Sequence, residues 1–168
     1  MKRSCSLSLL ALASATLLSN CVSYYRLPDG YTGPRATVKD TATQVTPLKA
    51  EIFRVQKING ETDGNTPMAT PYGGGMGVVL RSSQREIPAG EPITLTIGGG
   101  DSYAADGAAL IDSMAGKRRK SVSGDIIFIP KADKTYVVKG TTGKDSSSVW
   151  LEEEGTQRLV SKKLVGDD

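Results

Sequence analysis

Residues 93–97, Ile-Thr-Leu-Thr-Ile, alternate apolar and polar side chains without a break, which predicts a strand half-buried on its aliphatic face. The same period of two recurs at 36–40. Residues 50–58 carry Ile52, Phe53, Val55 and Ile58 and end at Asn59-Gly60, a dipeptide that supplies the positive φ of a tight hairpin turn. Residues 78–81 follow the Gly73-Gly74-Gly75 loop, and 84–87 lead into a Pro88-Ala89-Gly90 turn. Ile126, Ile127, Phe128 and Ile129 are consecutive and apolar, so 122–129 is expected to be a strand covered on both faces and stopped by Pro130. Further strands are expected at 136–138, at 149–151 and, more weakly, at 158–165. Residues 103–115 carry Ala104, Ala105, Ala108, Ala109, Leu110 and Met114, which favour helix, but are interrupted by Gly107, which allows one short helix. Seven or eight short strands near ten-residue spacing, with Gly and Pro between them, predict an all-β antiparallel β-sandwich rather than a βαβ fold.

The N-terminus has a different pattern. Two basic residues, Lys2 and Arg3, precede an apolar stretch over 7–18 with only Ser and Thr as polar members. At about 12 residues it is too short for a span needing about 20, and it reads as an export signal. Leu18-Ser19-Asn20-Cys21 at its end resembles the lipobox of bacterial lipoproteins, with Asn20 in place of the usual small residue. The resemblance implies cleavage before Cys21, diacylglycerol on its sulfur and, with Val22 next, sorting to the outer membrane on its periplasmic face. The alternative is an ordinary cut after Ala13-Ser14-Ala15, which would give a soluble periplasmic protein with Cys21 as an odd free thiol.

This organisation divides the chain into a cleaved signal at 1–20, a lipid-anchored tether at 21–34 and a periplasmic domain at 35–168. The tether holds Pro28, Gly30, Gly33 and Pro34, and a dozen residues reach at most about 40 Å. Tyr24 and Tyr25 suit either the lipid interface or packing on the domain. Cys5 leaves with the signal and Cys21 takes lipid, so the mature domain has no disulfide. Loss of the first 20 residues leaves 148 of 168, enough for one core without covalent staples. The segments 53–60, 85–95, 123–130, 136–140 and 149–151 resemble those of uncharacterised bacterial lipoproteins with PEGA-like or transthyretin-like β-sandwiches. That likeness implies a fold and carries no functional residue.

Composition narrows the chemistry. The sequence has no histidine, which excludes Ser-His-Asp and Cys-His catalysis, an imidazole base and His-based zinc sites. The formal charge of +3 falls to +1 once Lys2 and Arg3 are removed, so no global field favours nucleic acid. Gly73 to Gly77 lacks both the spaced GxGxxG and the following Lys-Ser/Thr of a phosphate loop, and Gly98-Gly99-Gly100-Asp101 is expected to be a turn at a strand end. Lys117, Arg118, Arg119 and Lys120 form the densest charge and are the candidate patch for an anionic surface; the plain alternative is a solvated loop. Glu152-Glu153-Glu154 is expected to be a solvated strand end, and Trp150 to pack in the core. No catalytic residue, metal site or cofactor is expected.

The function expected from the sequence is a non-enzymatic, membrane-anchored binding or structural module of the envelope. It would meet the membrane through lipid on Cys21 and engage another envelope protein, lipopolysaccharide or peptidoglycan. The alternatives are an exported hydrolase using a Ser-Lys or carboxylate site, and a structural accessory subunit of an envelope complex.

Overall fold

A computed structural model describes residues 23–69, 77–104, 106–116, 120–143 and 146–167. The signal segment, Cys21, Gly73 to Met76 of the glycine loop, and Lys117, Arg118 and Arg119 lie outside the described residues. In chain order the elements are β1 (Arg35–Lys39), β2 (Thr41–Thr46), β3 (Lys49–Ile58), β4 (Glu61–Thr62), β5 (Met68–Ala69), β6 (Val79–Leu80), β7 (Gln84–Pro88), β8 (Ile93–Tyr103), α1 (Asp106–Met114), β9 (Ser121–Phe128), β10 (Thr135–Thr142), β11 (Ser146–Glu153), β12 (Arg158–Leu159) and β13 (Leu164–Asp167).

The protein is mostly β, with one short helix and several sheets. A six-stranded sheet runs β12-β11-β10-β1-β7, with β13 also on β11; a five-stranded sheet runs β2-β3-β8-β9, with β4 on β3; β5 and β6 form a separate pair. Among the described residues the strand pairings are antiparallel except β1 with β10. Thirteen strands are present among the described residues, more than the seven or eight the pattern predicts. The surplus is short or polar. β4, β5, β6 and β12 have two residues each, 158–165 splits into β12 and β13, and β2 (TATQVT) is a largely exposed edge strand with little hydrophobic alternation to announce it.

One core draws on the inner faces of both large sheets. Val38, Ile87, Val138, Val149 and Leu151 come from the first, and Phe53, Val55, Ile58, Leu95, Ile97, Val122 and Ile126 from the second. Burying each such side chain contributes about 1.5–3 kcal/mol, so these alternating faces hold the sheets together. Tyr136 is also buried there, edge-on to Phe128 at a ring separation of 5.1 Å, and its hydroxyl accepts the Lys131 N–H at 2.9 Å. A smaller apolar cluster of Ala50, Ile52 and Val78, joined by Ala42, Met68 and Ala104, lies on the other face of the five-stranded sheet. It accounts for the burial of both Ile52 and Phe53, which as neighbours point to opposite faces.

Three expectations are corrected. The glycine run does not end β8: Gly98, Gly99 and Gly100 continue the ladder opposite Arg54, Phe53 and Ile52. Gly100 has φ +144, and a Cβ there would collide with the Lys120 carbonyl, so glycine permits this close strand pairing. β9 is not covered on both faces, since Ile127 is 72% exposed and Ile129 58%. Trp150 is not a core residue. Val149 and Leu151 point inward and are fully buried, which turns Trp150 to the outer face, half-buried, with its Nε1 donating to Glu152 at 2.6 Å and Lys163 Nζ 4.0 Å from the ring centre.

Helix α1 falls within the 103–115 stretch, while Tyr103 completes β8. None of its residues is buried, and Leu110, Ile111 and Met114 are exposed. Gly116, with φ +75, follows its end and suits a left-handed helix stop.

Candidate functional site

The outer face of the five-stranded sheet carries a groove of about 410 Å³. Side chains on the outer face of β3 and β9, among them Arg54, Gln56, Ser121 and Ser123, line it across Gly98 and Gly100; Thr66 and Met68 border it where the chain enters β5. Strand alternation explains most of the polarity: the inward neighbours of these residues fill the core, leaving hydroxyls, an amide and a guanidinium outside, with Ile52 of the smaller apolar cluster as the exception in the lining. A register shift between Val55 and Lys57 places Gln56 at a bulge, where its amide lies over Gly98 and its Oε1 accepts the Ser123 hydroxyl at 2.8 Å. Arg54 Nη1 donates to the Asn65 carbonyl at 3.2 Å, using one of the five donors a guanidinium carries.

An ionic cluster stands at the β8 end of this groove. Asp101, 5% exposed, pairs with Lys49 at 3.0 Å; Asp112 of α1 lies 3.8 Å from the same ammonium and accepts the Tyr103 hydroxyl at 3.0 Å. Burial acts to lower the Lys49 pKa, but the hydrogen bond and charge of Asp101 outweigh it and hold the pKa above the ordinary lysine value. The Tyr103 pKa is raised, first by burial and then by its bond to Asp112. The Lys49 ammonium therefore stays charged at neutral pH, and its contacts with Asp101 and Asp112 fasten α1 to the sheet. Chemically, the groove can hydrogen-bond a polar, extended ligand and hold an anionic group on Arg54.

A second ionic centre is buried beneath the surface. Arg85 on β7 places Nη1 2.5 Å from Asp40 Oδ1 and Nη2 2.5 Å from Asp40 Oδ2, a two-point contact. Asp40 also accepts the Val55 N–H at 3.0 Å and the Ser83 hydroxyl at 2.6 Å. Asp63 Oδ2 lies 2.6 Å from Arg85 Nη2, close enough for a charge contact but without hydrogen-bond alignment, and Arg85 Nε has no hydrogen-bond partner among the described residues. The side chains are 4% (Arg85), 0% (Asp40) and 2% (Asp63) exposed, so the cluster is a clamp inside the fold and faces no groove ligand.

Of the sequence candidates, Cys21, Lys117, Arg118 and Arg119 lie outside the described residues. Lys120 sits beside the ionic cluster: its N–H reaches Asp101 Oδ2 at 3.5 Å, its carbonyl accepts the Asp101 N–H, and its Nζ contacts the Gly143 carbonyl. Glu153 is not solvated. It is 5% exposed and paired with Lys134 at 3.0 Å and Arg158 at 2.8 Å; the Lys134 hydrogen bond, opposed by burial and reinforced by Arg158, holds its carboxyl below the usual carboxylate range. Among the described residues no cluster of three or more Cys, Asp or Glu is placed to hold a metal ion, and no helix is long and apolar enough to cross a membrane.

Sequence reasoning missed the groove residues Arg54, Gln56, Ser121 and Ser123. The alternation of β3 places Arg54 outward, but nothing local says that β8 and β9 bring Gly98 and Ser123 beside it. No family model, curated protein or solved structure matches the chain.

Proposed function

We propose that this chain is an outer-membrane lipoprotein, acylated on Cys21 and facing the periplasm, whose β-sandwich is a non-catalytic binding module of the cell envelope. The observation that carries the proposal is Leu18-Ser19-Asn20-Cys21 behind a short apolar run with a basic start. The groove supports a binding role, because it gathers hydroxyls, an amide and Arg54 over a glycine floor and suits a hydroxyl-rich or carboxylate-bearing envelope component. Lipid on Cys21 fits an exported domain in which an odd thiol would otherwise invite disulfide dimers.

Fractionation of cells expressing the full chain or its Cys21→Ser variant tests this reading. The parent is expected at processed size in the membrane fraction, released by detergent, and the variant either soluble or at uncleaved size. Equal partition of the two at the same processed size overturns the anchor.

A further inference from the structure

We infer that the end of the molecule where β3 turns into β4 rests on the bilayer, with Tyr24, Ile127 and Ile129 at the headgroup level. This rests on the acylated Cys21 proposed above. Ser23 is two residues from that cysteine, and two residues span at most about 7 Å. Ser23 is already fixed to the domain: its carbonyl accepts the Thr62 N–H at 2.8 Å, and the Tyr25 N–H returns to the Thr62 carbonyl at 2.9 Å. A lipid on Cys21 thus leaves almost no free chain between acyl group and fold. The domain cannot stand off at the tens of ångströms a free tether would allow.

The contact surface follows from strand register. Thr62 pairs with Lys57, next to the Asn59-Gly60 turn; Asn59 bonds to Thr94, and Thr94 lies opposite Ile127 on β9. Tyr24, Ile127 and Ile129 therefore occupy one end of the five-stranded sheet, within about four strand spacings of about 4.8 Å each. All three are exposed, at 60%, 72% and 58%. A tyrosine ring and two β-branched aliphatics bared beside the anchor suit the headgroup–acyl boundary, where amphipathic rings and apolar side chains gain by partial immersion. Exposed Lys57 and Lys131 stand at this end, as do Glu91 and Asp125, so charge alone selects no partner. The other end of β3, where Lys49 pairs with Tyr103, lies eight residues and about 27 Å away. Helix α1 and Lys120 belong to that far end and face away from the anchoring membrane.

The test uses the full lipidated chain in phosphatidylethanolamine/phosphatidylglycerol vesicles doped with quencher-bearing lipid. An environment-sensitive fluorophore is placed on the thiol introduced by Ile127→Cys or, as the far-end control, by Leu110→Cys. Because immersion of about 5–10 Å suffices for contact with the quencher, the 127 label is expected to be quenched about two-fold or more above the 110 label. Equal quenching, or stronger quenching at 110, overturns the orientation. The intact mass of the same preparation separates the two claims: acyl mass with an unquenched 127 label refutes the orientation alone, whereas absence of acyl mass refutes the anchor and the orientation with it.

Discussion

Arg85 holds together a buried ionic centre. Its guanidinium lies between two carboxylates that are almost completely buried, those of Asp40 and Asp63, and Asp40 is further held by the Val55 N–H and the Ser83 hydroxyl. Replacing the arginine leaves two buried carboxylates without their cation, a change that typically costs about 3–5 kcal/mol. Arg85→Leu is therefore expected to lower unfolding stability by about that amount in urea denaturation, far more than the loss of an exposed pair such as Arg35 with Glu86. A loss of less than about 1 kcal/mol would mean that Arg85 behaves as a surface pair. None of this was legible beforehand. Asp40, Asp63 and Arg85 are scattered polar residues with no shared period, and only the meeting of β1, β7 and the segment after β4 makes them one centre.

At the scale of elements, legibility followed hydrophobic alternation. β1 and the first half of β8 stood out because aliphatic residues mark one face, whereas β3 and β7 were marked by the turn residues after them; Asn59-Gly60 makes its turn with φ of +48 and +87. The second half of β8 did not, since glycine usually interrupts a strand and here serves the close approach of Ile52 and Lys120 to the backbone. β9 misled in the opposite way: four consecutive apolar residues suggested two covered faces, yet Ile127 is exposed among the described residues. The segment at 23–34, expected as a tether, is bound to the body at Thr62 and, through Pro34, at Ala89. Tyr25 reports this docking. It packs against the core, its hydroxyl donates to the Glu86 carbonyl at 3.2 Å, and burial, aided by Glu61 and other nearby acidic groups, pushes its pKa up to about 12. A raised pKa means that the folded state holds the proton more tightly. The stabilisation from this site is thus complete below the ordinary tyrosine pKa near 10 and is lost as pH rises through about 12. In a spectrophotometric titration of tyrosinate, Tyr25→Phe is expected to remove a late step near pH 12; loss of an ordinary step near pH 10 instead would place Tyr25 in solvent.

For the whole molecule, one core between two sheets leaves two distinct ends and an outer face that carries a polar groove beside a small apolar cluster. The N-terminal attachment at Thr62 marks one end of β3, α1 with Lys49, Asp101 and Tyr103 marks the other, and the groove lies on the outer face of the same sheet. That arrangement suits a domain held close to a membrane and presenting its groove and far end to the periplasm. The short apolar segment and Cys21 are read as an address from local composition alone, and they lie outside the described residues. The groove was not legible there, because it arises from the register of three strands. The anchor is tested most directly by the intact mass of the processed chain extracted from membranes. It should begin at Cys21 and carry acyl mass. An unlipidated chain beginning at Thr16 would contradict it.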